Sequence, residues 1–134
     1  MLQLGFAPLP KFLGIEIGQS LDVQHEATRK AYGLKPPALI VEAKDGFRYW
    51  QCDSIAPKDG FESFSVDVTL SNTVFRVEAD VSCRDWAETK KKREEIVEDL
   101  KKRFKGRFCE NGDIEARVSC GTNFVEVCIE KKRN

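Results

Sequence analysis

The chain has little of what metal, thiol or phosphate chemistry usually requires. Its 134 residues include one histidine, His25, so any nucleophile needing an imidazole base has a single candidate partner. The five cysteines, Cys52, Cys83, Cys109, Cys120 and Cys128, are separated by at least eight positions, which leaves none of the close pairs that structural zinc sites use. No glycine-rich loop leads into a helix as a phosphate cradle would, because Gly14 and Gly18 flank a short strand pattern instead. No apolar run approaches the ~20 residues of a membrane-spanning helix. Net charge is also lacking: residues 1–83 carry 8 basic and 11 acidic side chains and residues 84–134 carry 14 and 11, or −3 and +3. So small an asymmetry argues against dedicated nucleic-acid binding.

What is present is alternation. In FESFSVDVTL, Phe64, Val66, Val68 and Leu70 alternate with Ser63, Ser65, Asp67 and Thr69, and after Ser71-Asn72-Thr73 the pattern resumes at Phe75, Val77, Ala79, Val81 and Cys83. A period of two gives each strand one apolar and one polar face. Asp85 then suits the cap of a helix whose apolar positions Trp86, Ile96, Val97, Leu100 and Phe104 share a face, ending at Lys105-Gly106. That helix is expected to lie across the apolar face of the sheet.

Taken in order, residues 1–13 read as an extended lead-in and Leu13–Gly18 as a short strand. A helix is expected from Ser20 as cap, with Leu21, Val23, Ala27 and Ala31 inward, closing at Gly33 before Pro36-Pro37. ALIVEA and FRYWQCD flank a Lys44-Asp45-Gly46 turn, a hairpin signal. Past Gly106 come three more strands, RFCEN, IEARVSC and FVEVCIE, and a frayed tail over residues 131–134. Strand runs between segregated helices predict one α+β domain over 1–134, an antiparallel β-sheet with two helices packed on one face.

The site candidates are few. Catalytic, cofactor-binding and metal residues are expected to be none. Parity puts Cys83 and Cys120 in the apolar register, and Cys109 and Cys128 opposite it, so a Cys109–Cys128 disulfide is within reach if their strands are neighbours; the alternative is that the cysteines are small buried hydrophobes. Asp67, Glu78 and Asp80 fall on the polar face, where they could form an acid–base pair, although alternation places polar residues there anyway. The run Lys90–Arg93 with Lys101-Lys102-Arg103 is interleaved with Glu98 and Asp99 at helical spacing, the pattern of a solvated helix back. Tyr49 and Phe124, where they face outward, are the candidate protein-binding anchors.

The stretch Ile15-x-Ile17-Gly18-x-Ser20, then a helix, Gly33 and Pro36, resembles the opening of small exported bacterial proteins. It is similar to outer-membrane assembly lipoproteins of the SmpA/OmlA type and to the β-lactamase inhibitor protein. The likeness covers about 25 residues of the 134 and lacks the lipid-bearing cysteine of a lipoprotein. It implies a periplasmic or secreted location and a protein partner without catalysis. Five cysteines lean the same way, toward an oxidising compartment. The opening MLQLGFAPLPKFLG shows no export signal, which fits either an added Met1 on a mature exported chain or a cytoplasmic protein with reduced thiols. The expected function is therefore to bind another protein, as an inhibitor, immunity or envelope-assembly factor does. The alternatives are a small enzyme using a free thiol or paired carboxylates, and nucleic-acid binding through the basic helix 86–105.

Overall fold

The structure, a computed structural model, describes residues 11–103 and 114–131. Over these the order is β1 (Lys11–Phe12), β2 (Ile15–Glu16), α1 (Glu26–Tyr32), β3 (Ala38–Val41), β4 (Arg48–Asp53), β5 (Ser63–Thr69), β6 (Val74–Ser82), α2 (Trp86–Arg103), β7 (Ile114–Cys120) and β8 (Phe124–Lys131). β1 and β2 form a hairpin of their own, and the other six strands make one antiparallel sheet in the order β3-β4-β5-β6-β8-β7. The α+β class with an antiparallel sheet is thus as expected. The RFCEN strand, Phe104 and the Lys105-Gly106 helix end lie outside the described residues. Lys131, expected in the frayed tail, closes β8.

One face of the sheet is covered. Cross-strand rows such as Cys52–Val66–Val77–Ile129 and Phe64–Ala79–Val127 are buried against Phe12, Leu13, Ile15, Ile17, Leu21, Val23 and Leu34 from the N-terminal segments and Leu100 from α2. Asp85 caps α2 as expected, its carboxylate accepting the Glu88 N–H at 2.9 Å. Thr89 is the other fully covered residue of α2; its hydroxyl donates to backbone carbonyls of Asp85 at 2.8 Å and Thr122 at 3.0 Å, tying the helix to the β7–β8 turn.

Three expectations need correction. The first helix begins at Glu26, not after Ser20: Gly18 donates to Val74 O and Leu21 to Asn72 O, both at 2.8 Å, so residues 18–21 run alongside the β5–β6 turn as extended chain. Leu21 and Val23 still point inward, but from that extended chain. Trp86 stands 54% exposed instead of joining the apolar face of α2. Phe75 leaves the apolar face because the β5–β6 register shifts: Asp67 pairs with Arg76 but Val68 with Val74, so Phe75 is the extra residue of a bulge. Gly33 ends α1 in the left-handed conformation at φ 67°, as its position predicted.

Candidate functional site

The second face of the sheet is crossed by no helix among the described residues, and its polar side chains are ordered by the strand register into three rows. Gln51, Asp67, Arg76, Glu130 and Glu115 make one, Asp53, Ser65, Glu78, Cys128 and Arg117 the next, and Ser63, Asp80, Glu126 and Ser119 the third. All three rows depend on β8 lying between β6 and β7, a strand order that adjacency in sequence does not reveal.

The first row is bonded along its length, and Arg117 of the second row donates to its Glu115 and Glu130, both at 3.0 Å. Asp67 is fully buried; it accepts from Gln51 Nε2 at 3.0 Å and from Arg76 Nε at 2.5 Å. Arg76 also donates to Glu130 at 3.2 Å and to the Tyr49 hydroxyl at 3.0 Å, and its guanidinium lies over the rings of Tyr49 and Phe75. Burial lifts the Asp67 carboxyl above its ordinary range against the pull of Arg76. For Arg76, burial works against the charge but Asp67 more than offsets it, so the guanidinium stays charged. Phe47 and Phe75 pack on Tyr49 with ring centroids 5.7 and 5.2 Å away.

The remaining rows are open. Asp53, Ser63, Ser65, Glu78, Asp80 and Glu126, with Lys35 the one basic residue among the described ones, line a shallow cavity of about 410 Å3. Ser63 Oγ sits 3.0 and 3.1 Å from the two Asp80 carboxylate oxygens. Burial raises the Glu78 pKa; Arg76, 3.5 Å away, opposes this, while Asp67, Glu130 and Glu126 reinforce it. Carboxylates crowded in this way gain from a cation placed among them.

Tyr49 faces this side but is only 5% exposed, closed over by Phe47, Phe75 and Arg76, and so presents no anchor. Phe124 is 38% exposed on the same face, next along β8 from Glu126. Its ring lies against Gly121, where an added Cβ would come within 2.2 Å of it. Of the carboxylates singled out by alternation, Glu78 and Asp80 meet in the cavity and Asp67 is sequestered. Sequence reasoning missed Asp53, Glu126 and Arg76 as parts of this surface. The alternation that set Glu78 and Asp80 on the polar face, and Cys128 opposite the apolar register, pointed toward it.

Cys52, Cys83, Cys120 and Cys128 are free thiols, so no disulfide joins the described cysteines. Cys128 is not half of the expected bond; its cross-strand neighbours are Glu78 and Arg117, and its sulfur accepts from Arg117 Nη2 at 3.3 Å. The other half, Cys109, lies outside the described residues. Burial pushes the thiols of Cys52 and Cys128 up to about 11, the reverse of what a nucleophile needs. Among the described residues no group of three or more His, Cys, Asp and Glu could hold a metal ion.

Fold and surface together define an α+β protein whose described residues cover one side of the sheet and leave the other open and acidic. Comparisons with family models, curated proteins and solved structures gave no match.

Proposed function

We propose that the protein binds another protein through this open sheet face, and that the partner presents a lysine- or arginine-rich surface. The observation that carries the reading is the cavity on the uncovered face, in which Asp53, Glu78, Asp80 and Glu126 gather against Lys35. The bonded row anchored by Arg76 supports it, since a side-chain network fixed in advance presents the carboxylates without further ordering cost. Phe124 supplies an apolar contact beside the charges. The role is that of an inhibitor, immunity or envelope-assembly protein, without catalysis. A thiol enzyme is disfavoured by the raised thiols of Cys52 and Cys128. Export, implied by the resemblance, draws no support from the four free thiols.

The test is amide chemical-shift mapping with a lysine-rich peptide as probe, beside affinity capture from envelope and cytoplasmic fractions. Shifts should cluster at Glu78, Asp80, Phe124 and Glu126, and a basic protein should be captured by the native chain but not by E78K/E126K. Because Glu78 holds its proton to a higher pH than an ordinary carboxyl, capture should weaken on mild acidification, with E78Q less sensitive. Shifts confined to α2, or capture indifferent to E78K/E126K, would overturn the reading.

A further inference from the structure

A separate surface, the side of β3 that pairs with no strand among the described residues, has the geometry of a self-complementary edge. Glu42 N–H donates to Phe47 O at 2.8 Å in the same register that pairs Ile40 with Tyr49 and Ala38 with Gln51. Antiparallel alternation then turns the N–H and C=O of Ala38 and Ile40 toward β4, and those of Leu39 and Val41 away from it. The neighbouring ladder agrees, since Ser54 N–H donates to Phe64 O and so the even-numbered residues of β4 face β5.

The side chains on this edge are apolar and uncovered. Leu39 is 42% and Val41 57% exposed; Leu39 stands across from the half-buried Trp50, and Leu70 is exposed at the end of β5 on the same side. Exposed edges are normally blunted by charge, proline or a covering element. Ala38–Val41 contains no charged residue, and prolines guard only its upstream end, at 36 and 37.

We propose that a second copy of this chain adds to the sheet along β3, antiparallel, about a two-fold axis through Ile40 perpendicular to the sheet. In that register Leu39 stands opposite the second copy's Val41 on the covered side, and Ile40 meets its own counterpart on the open side. Side-chain parity is kept, and the outward N–H and C=O groups of Leu39 and Val41 are the ones that become paired. Centring on Leu39 would set Val41 against Pro37, which has no N–H. Centring on Val41 would set Leu39 against Ala43, beyond the end of the strand. The two-fold arrangement closes on itself, so it stops at a dimer. Four strand residues per copy make a small interface, and the association is weak and concentration-dependent.

Sedimentation equilibrium and hydrogen exchange test this together. The native chain should gain mass toward a dimer as concentration rises, with protection growing at the Leu39 and Val41 amides. V41K, placed at an exposed edge site, should stay monomeric with an unchanged unfolding midpoint, and E78K/E126K should associate like the native chain. A native chain that stays monomeric at all concentrations, V41K that associates unchanged, or protection that grows elsewhere would each overturn the proposal. Should V41K unfold, the concentration dependence of protection in the native chain decides alone.

Discussion

Arg76 is the residue on which the open face depends. It joins Asp67, Glu130 and Tyr49, and among the described residues it is the only basic group in contact with the fully buried Asp67 carboxylate. Removing one member of a buried pair leaves an uncompensated charge, so R76A should lower stability by roughly 3–5 kcal/mol in urea unfolding. D67N/R76M, which removes both charges, should recover most of that loss. A small effect of R76A with no recovery in the double variant would mean that the pair is not what orders this face. The bulge at Phe75 that brings Phe75 and Arg76 together against Tyr49 was not legible, because alternation counts residues and cannot show where one strand carries an extra one.

At the scale of the element, α2 is held by few contacts. Its sequence offers five apolar positions, yet among its described residues Leu100 is the single large apolar side chain fully buried, beside the tethering Thr89. L100A should therefore cost about 2–5 kcal/mol by creating a cavity beneath the helix, whereas W86A should change stability by no more than about 0.5 kcal/mol. Equal losses in thermal or urea unfolding would refute the packing described. Helical spacing found the helix, its Asp85 cap and Leu100, but it could not tell that Trp86 stands exposed. Near the N-terminus Leu21 and Val23 satisfied both a helical and an extended reading; hydrogen bonds to Asn72 and Val74 decided for the extended one.

For the molecule as a whole, the buried Cys52 and half-buried Cys128 set an alkaline limit. Cys52 and Cys128 have folded pKa values of about 11, above the ordinary thiol value, because burial penalises the thiolate. Their contribution to stability is complete below about pH 8.5 and is lost as pH rises through about 11, since the unfolded chain releases its thiol protons first. The urea midpoint should fall over that window, less steeply in C128V, and Cys128 should react slowly with thiol reagents at neutral pH. Fast labelling of Cys128 in the folded chain would contradict its raised pKa.

By itself the sequence determined the α+β class, the six strands of the main sheet, the long helix and its cap, and the side of each strand on which Cys120, Phe124 and Cys128 fall. Those properties follow from the period of the chain and the chemistry of one or two neighbours. Tertiary structure alone decided that β8 sits between β6 and β7, that Tyr49 is closed over while Phe124 is open, and that Asp53, Glu78, Asp80 and Glu126 share one cavity. Strand order, bulges and cover are set by contacts between residues far apart in the chain, and local periodicity carries no record of them.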